Sequence, residues 1–188
     1  MVVPAGRRTR PVLDRVKVAL FDWLGARLAM PGSLPPLNVL DLFSGAGSLG
    51  IEALSRGAAF CAFVEADRAS FGCLRQNLEK LAVGAAARAI HGMAESIGVA
   101  PPSGGFELIF LDPPYRLTED LSAASTMSRV LARLGSTVPV EPGVLVLWRH
   151  SNACVLPEEI GGRWRSSERR TWGNMAITLL ERTVQEAP

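Results

Sequence analysis

The sequence contains few of the residues that build disulfides, metal sites or nucleophilic catalytic centres. Among 188 residues there are three cysteines and two histidines. Three cysteines cannot all pair, and Cys61, Cys73 and Cys154 lack the spacing of metal ligands. His91 and His150 have no serine or cysteine motif nearby, so we interpret them as structural or exposed residues. These shortages predict a cytoplasmic protein with reduced thiols and no bound metal.

Long apolar segments are also absent. The apolar runs have the length of strands, and none approaches the ~18 residues that a membrane-spanning helix requires. The first residues lack the apolar stretch and the small-residue cleavage site of a signal peptide. Since 48% of the residues are apolar and only 20% are charged, we expect one globular domain over residues 1–188, without membrane association.

The basic residues are almost all arginines, which favour bidentate phosphate contacts and stacking on bases. The net charge is only +2, but 18 of the 20 basic residues are arginines. They concentrate near the N-terminus and again near residue 165, at Arg7, Arg8, Arg10, Arg15 and Lys17 and at Arg163, Arg165, Arg169 and Arg170. A solvated charged face would explain any one of them, but two clusters favour a nucleic acid partner.

Strand and helix patterns alternate along most of the chain, after a first helix and a proline-rich connector. The predicted helices cover residues 14–28, 48–56, 67–81 and 118–134, and the predicted strands cover 38–43, 59–65, 87–91, 106–112, 143–149, 163–171 and 175–182, with a hairpin turn at 172–174. This alternation predicts a three-layer, Rossmann-like α/β fold, with a mostly parallel sheet of seven strands and an antiparallel C-terminal strand.

A glycine loop follows the first predicted strand, with Gly45, Gly47 and Gly50 between the strand and the next helix. Small residues let the backbone approach a ligand closely, and the helix presents its N-terminal amides there. The loop has no Gly-Lys-Ser/Thr sequence, so a site for a nucleoside triphosphate is not expected. A purely structural turn remains the alternative interpretation.

Acidic residues end the first two predicted strands. Asp41 would repel a pyrophosphate, but it could order the glycine loop or receive a cationic ligand. Glu65 can accept hydrogen bonds from ribose hydroxyls, the role of an acid at this place in dinucleotide-binding folds. The alternative for Glu65 is an acid at the start of a helix, beside Asp67. A dinucleotide dehydrogenase fits poorly, because its glycines are spaced differently.

The segment Asp112-Pro113-Pro114-Tyr115 follows another apolar strand and is the more discriminating motif. The prolines cannot continue a strand ladder and fix the chain direction, while the carbonyl of Pro113 can still accept a hydrogen bond. Asp112 and this carbonyl could accept both hydrogens of an exocyclic base amine, and Tyr115 could stack on a base extruded from its helix. We therefore predict that all four residues are catalytic. A strand-ending turn with a buried tyrosine is the alternative.

These motifs resemble those of class I methyltransferases that use S-adenosylmethionine. Further segments resemble the bacterial RsmD family, at Arg10-Pro11, Asp14-Arg15-Val16, Leu20-Phe21, Leu54-Ser55-Arg56-Gly57-Ala58 and Phe63-Val64-Glu65-Ala66-Asp67-Arg68. The resemblance implies methylation of a guanine N2 amine in 16S ribosomal RNA, within a small-subunit particle, by a monomer. Residues 37–188 would be the catalytic core, and residues 1–36 a basic arm, a helix and a connector.

The resemblance also implies which residues bind S-adenosylmethionine and RNA. The cofactor residues would be Asp41, Phe43, Ser44, Gly45, Gly47, Glu65, Ala66, Met93 and Ala94. The RNA-binding residues would be Arg7, Arg8, Arg10, Arg15, Lys17 and Arg116. Met93 departs from the family pattern, because many members have an acid near the adenine. Two other functions stay open, namely methylation of another RNA or DNA base amine and RNA binding by a non-catalytic assembly factor.

Overall fold

The computed structural model describes residues 1–4, 11–122, 124–161 and 163–183. Its four helices are α1 (Pro11–Arg27), α2 (Ser48–Ser55), α3 (Arg68–Lys80) and α4 (Thr126–Arg133). Its eight strands are β1 (Asn38–Leu42), β2 (Phe60–Glu65), β3 (Ala87–His91), β4 (Phe106–Leu111), β5 (Val140–Ser151), β6 (Glu159–Ile160), β7 (Trp164–Trp172) and β8 (Met175–Arg182). Among the described residues, no helix is long and apolar enough to cross a bilayer.

All described strands join one sheet in the order β3-β2-β1-β4-β5-β8-β7-β6. The first five strands are parallel, while β8 is antiparallel to both β5 and β7. The predicted α/β fold class is confirmed. The sheet has one strand more than predicted, because the two-residue β6 pairs with the start of β7 and is too short to leave a pattern in the sequence.

Most predicted elements lie where expected, but the fourth helix begins later than predicted. Residues Tyr115–Leu117 form a short 3₁₀ turn, in which the backbone N–H of Thr118 donates to the carbonyl of Tyr115 over 2.8 Å. The helix α4 starts only at Thr126, where the hydroxyl of Ser125 accepts a hydrogen bond from the backbone of Ser128. This cap fixes the true start, whereas apolar spacing alone extended the prediction upstream.

The sheet is covered on both faces, which explains the nearly continuous apolar strands. One face packs against α4, with Leu40, Ile109 and Trp148 among its buried side chains. The other face packs against α1 and α2, with Phe63 and Phe110 among its buried side chains. Successive side chains of a strand alternate between these two faces. The strand register therefore determines toward which face the side chain at the end of a strand points.

Candidate active site

The strand register brings three carboxylates to one edge of the sheet. Asp41 pairs with Phe63 of β2 and with Phe110 of β4. Glu65 and Asp112 each lie two residues beyond these partners, so all three side chains project toward the face that carries α1 and α2. Because the carboxyl ends of parallel strands form the usual ligand edge of an α/β sheet, this is the candidate active site.

The loop after β1 is built from left-handed backbone conformations. Phe43, Gly45 and Gly47 have φ angles of 61°, 58° and 89°. Ser44 ties the loop to β2, since its backbone N–H and its hydroxyl donate to the carbonyl of Val64 over 3.0 and 3.3 Å. A Cβ atom placed on Gly45 would meet no described atom within 4 Å, so the loop leaves open space at this position.

Asp41 is fully buried beneath this loop. Its Oδ2 accepts a hydrogen bond from the backbone N–H of Gly50 over 2.9 Å, while Oδ1 has no hydrogen-bond partner among the described residues. Burial raises the pKa of Asp41 to about 8, the Gly50 hydrogen bond acts against this rise, and the nearby Asp112 and Glu65 carboxylates add to it. Without a nearby cation Asp41 is therefore mainly protonated at neutral pH, and a cation beside Oδ1 would favour its charged form.

Glu65 joins the end of β2 to the loop. Its Oε2 accepts from the backbone N–H of Gly45 over 2.7 Å, and its Oε1 accepts from the backbone N–H of Asp67 over 2.6 Å. The cap of α3 is Asp67, whose carboxylate accepts from the backbone of Ser70 over 2.8 Å. The acid that caps the start of α3 is thus Asp67, two residues after Glu65.

The end of β3 lies beside the end of β2. The backbone N–H of Gly92 donates to the carbonyl of Glu65 over 3.1 Å. His91 Nε2 is 3.0 Å from the carbonyl of Ala66, and its ring stacks on Phe71 with 5.0 Å between centroids. Met93 and Ala94 follow directly. Met93 is 58% exposed and Ala94 is buried, so the backbone brings a flexible thioether to the surface here.

Asp112 emerges at the end of β4, where its backbone N–H donates to the carbonyl of Leu42 over 3.3 Å. Its carboxylate forms an ion pair with the guanidinium of Arg149. Burial raises the pKa of Asp112, and the charge of Arg149 acts against this rise. Pro113 is buried and Pro114 is exposed. Tyr115 is half-buried, with its ring centroid 6.0 Å from Cζ of Arg149.

Sequence reasoning missed Arg149, the partner of Asp112. Phe110 pairs with Leu147 across β4 and β5, so Asp112 and Arg149 stand at matching positions beyond them. A basic residue at the end of a predicted strand was a visible signal. What could not be read was which strand neighbours β4, because strand order is a long-range property.

An apolar cleft of about 590 Å³, including space open to solvent, lies beside the ion pair. It opens between α1, the start of α2, the ends of β4 and β5 and the start of β8, and its lining includes Leu20, Leu49, Leu147, Met175 and Ile177. Its charged lining residues are Lys17, Asp112 and Arg149. The cleft joins the Asp112 site to the N-terminal helix.

The residues that we predicted to bind RNA differ in their exposure to solvent. Arg15 and Arg116 are exposed, whereas Lys17 is half-buried in the cleft and lies 3.3 Å from the carboxylate of Glu52. Arg7, Arg8 and Arg10 lie outside the described residues. The second basic cluster is divided, since Arg169 contacts Asn152 on one side of β7 and Arg170 lies over the ring of Trp23 on the other.

A buried asparagine of α3, which sequence reasoning also missed, binds the glycine loop through its side chain. Asn77 of α3 is buried, and its side-chain amide donates to the carbonyls of Val2 and Ala46 over 2.9 and 3.0 Å. Its Oδ1 accepts from the backbone N–H of Val2 over 2.6 Å. The glycine loop is thus linked to residues 1–4. Among the described residues, no group of three or more metal-ligating side chains is found.

Comparison with known proteins decides the family. The family model described as conserved hypothetical protein 95 matches residues 1–181. The chain belongs to this family. It is 33% identical over 180 residues to YlbH of Bacillus subtilis, whose name assigns it provisionally to the rRNA methyltransferases; the match covers 95% of this chain and 90% of YlbH.

Other members of the family have more definite names. The ribosomal RNA small subunit methyltransferase D of Escherichia coli is 39% identical over 114 residues, which are 61% of this chain and 54% of that protein. The chain therefore aligns with about half the length of this relative. The solved Escherichia coli protein yhhF, provisionally described as a methyltransferase, has a TM-score of 0.75 and 28% identity, over 98% of this chain and 92% of that one.

These findings confirm the predicted resemblance to the RsmD family. They confirm that the protein is an enzyme, a methyltransferase with the class I fold. The roles of its individual site residues are not tested by the comparisons and stay predictions.

Proposed function

We propose that the protein transfers a methyl group from S-adenosylmethionine to the N2 amine of a guanine in 16S ribosomal RNA. The small-subunit methyltransferase names of its relatives support the RNA substrate. The observation that carries the proposal is the position of Asp112-Pro113-Pro114-Tyr115 beside the Asp41 and Glu65 carboxylates, at one edge of the sheet. A donor site and an acceptor site for methyl transfer would then adjoin.

The residues around the glycine loop fit S-adenosylmethionine. The unpartnered Oδ1 of buried Asp41 suits the cationic methionine part, and the open space at Gly45 suits a ligand pressed against the backbone. Each Glu65 oxygen accepts one backbone hydrogen bond and has a second lone pair for a ribose hydroxyl. Phe43, Ser44, Gly47, Ala66, Met93 and Ala94 would complete the site. The bound sulfonium supplies an electrophilic methyl group.

The acceptor residues would make the base amine a better nucleophile. The lone pair of an exocyclic amine is delocalised into the ring, which weakens it. Asp112 and the carbonyl of Pro113 accept hydrogen bonds from its two N–H groups, which favours a pyramidal nitrogen with its lone pair directed at the methyl donor. Tyr115 stacks on the extruded base, and Pro114 fixes the turn between them.

Basic residues around this edge would hold the RNA backbone. Arg15 and Arg116 are exposed near the site, and Lys17 lines the cleft beside Asp112. The arginines at positions 7, 8 and 10 add charge to the same N-terminal region. We further infer that the enzyme acts as a monomer in the cytoplasm, on RNA within a small-subunit particle.

The proposal is tested with purified enzyme, labelled S-adenosylmethionine and two substrates, naked 16S RNA and small subunits from a strain that lacks the enzyme. We expect label in N2-methylguanosine after nucleoside digestion and mass spectrometry, and incorporation by Asp112→Ala that is slower on the order of 10²–10³-fold. Label in another nucleoside would support methylation of a different base amine. If calorimetry detects no S-adenosylmethionine binding near millimolar concentration, the enzyme function is contradicted and a non-catalytic assembly factor is supported.

A further inference from the structure

Arg149 stands at the centre of the proposed acceptor site, although no motif marks it. The pairing of Phe110 with Leu147 places it directly beside Asp112, across the parallel strands β4 and β5. Its Nε contacts Oδ1 of Asp112, its Nη1 lies 3.9 Å from Sδ of Met175, and its Cζ lies 6.0 Å from the Tyr115 ring centroid. One guanidinium thus touches the carboxylate and faces the ring at the same time.

The surroundings of Asp112 make this cation necessary. Asp41 on the neighbouring strand β1 and Glu65 on β2 are acids, and Tyr115 on its own segment carries no basic group. Lys17 on α1 lines the same cleft, but its ammonium pairs with Glu52 over 3.3 Å. Among the described residues, the ion pair of Asp112 is made by Arg149. Without it, burial would favour the protonated carboxyl.

We propose that Arg149 is a positioning residue of the acceptor site, which orients the Asp112 carboxylate and balances its charge beside Tyr115. Arg149 forms its ion pair at Oδ1 and leaves Oδ2 to accept a hydrogen bond from the base amine. A protonated Asp112 would instead present an O–H donor to the amine, which is the wrong polarity. This inference rests on the proposed function, because the amine is the proposed acceptor.

Arginine suits this role better than lysine would. Its planar guanidinium can pair with the carboxylate through Nε while the rest of the plane faces an aromatic ring. The side chain of Arg149 is 24% exposed and that of Asp112 is 22% exposed, so the pair is only partly screened by water. It also lies at one end of the apolar cleft, where a planar base would meet its polar groups.

The test compares Arg149→Met, which removes the charge at similar length, with Arg149→Lys, which keeps it. Turnover is measured against pH with saturating S-adenosylmethionine and small subunits. We expect Arg149→Met to lower turnover roughly ten-fold or more at neutral pH, to displace the acid limb of the profile to higher pH, and to recover activity at alkaline pH. Arg149→Lys should keep the limb near its wild-type position. Cofactor affinity, by calorimetry, should change in neither variant.

A matched control is Arg88→Met on the edge strand β3, where the exposed arginine contacts the carbonyl of Ala100. It should leave both turnover and the pH profile unchanged. A loss of turnover in Arg149→Met that is equal at every pH would show a merely structural role and overturn the inference, and so would an unchanged profile.

A second measurement does not depend on activity. The carboxyl carbon of Asp112 is followed by NMR during a pH titration and assigned with Asp112→Asn. We expect its midpoint to be higher in Arg149→Met than in wild type, and an equal midpoint would overturn the inference. If the wild-type enzyme methylated no guanine N2, the proposed function would fail, while this titration would still decide whether Arg149 controls Asp112.

Discussion

The two halves of the candidate site are held together by different kinds of contact. In the half formed by β1 and β2, carboxylates accept hydrogen bonds from backbone N–H groups, as Asp41 does from Gly50 and Glu65 does from Gly45. In the half formed by β4 and β5, the central contact joins two side chains, Asp112 and Arg149. Backbone donors are present whatever the residue, whereas the second half depends on both side chains. The first half should therefore be the more robust, and the second the more easily altered.

The largest expected effect is on turnover, in the β4–β5 half. Asp112→Ala should lower kcat on the order of 10²–10³-fold, since it removes a preorganised hydrogen-bond acceptor at the reacting amine. Its affinity for S-adenosylmethionine, measured by calorimetry, should stay near the wild-type value. Asp120→Ala, at an exposed aspartate of the following turn, is the control and should keep normal turnover. A variant without Asp112 that kept most of its activity would remove the functional contrast between the halves.

In the β1–β2 half we expect a loss of cofactor affinity instead. Glu65→Ala should weaken S-adenosylmethionine binding about ten-fold to a hundred-fold, since hydrogen bonds to a charged group contribute about 1.5–3 kcal/mol. Turnover at saturating cofactor should be largely kept. Glu79→Ala, on the exposed side of α3, is the matched control. Unchanged affinity in Glu65→Ala would mean that Glu65 only orders the loop.

The packing of the same half can be tested through the free energy of unfolding. A Cβ atom on Gly50 would lie 2.3 Å from Cε1 of Phe63 and 2.6 Å from Sγ of Cys61, so Gly50→Ala should destabilise the fold by about 1–3 kcal/mol. The same change at Gly72, a helical glycine of α3 with no atom within 4 Å of its Cβ position, should stabilise it by about 0.5–1 kcal/mol. Denaturant titrations that gave equal shifts for both variants would exclude tight packing at Gly50.

The last expected effect is on the pH dependence of the free energy of unfolding. Because the folded pKa of Asp41 is about 8 and its ordinary value is 3.8, the unfolded chain releases this proton first as pH rises. Asp41 therefore makes the free energy of unfolding fall between about pH 4 and pH 8. Asp41→Asn should remove this slope, as measured by denaturant unfolding at several pH values without cofactor. Parallel curves for the two proteins would show that Asp41 is not buried as described.

The same contrast explains what could be predicted from the sequence. The half formed by β1 and β2 could be predicted because its residues lie close together in the sequence. Gly50 follows Asp41, and Asp67 follows Glu65. The strands of the parallel sheet were readable because burial on both faces makes them apolar throughout. The roles of Arg149 and Asn77 could not be predicted, since each side chain contacts a residue more than 30 positions away in the sequence. The late start of α4 depended on a local cap at Ser125, which apolar periodicity does not reveal.

The cleft beside Asp112 also has a consequence for how the protein is made. It is closed by α1 on one side and by β8 on the other, and the ion pair between Arg27 of α1 and Glu181 of β8 spans 154 residues of sequence. Contacts of such separation form late in folding, because the loop that they close is long. A growing chain can therefore form its glycine loop early. The cleft beside Asp112 is complete only after β8 has been synthesised. An incomplete chain could hold a methyl donor and still be unable to modify RNA.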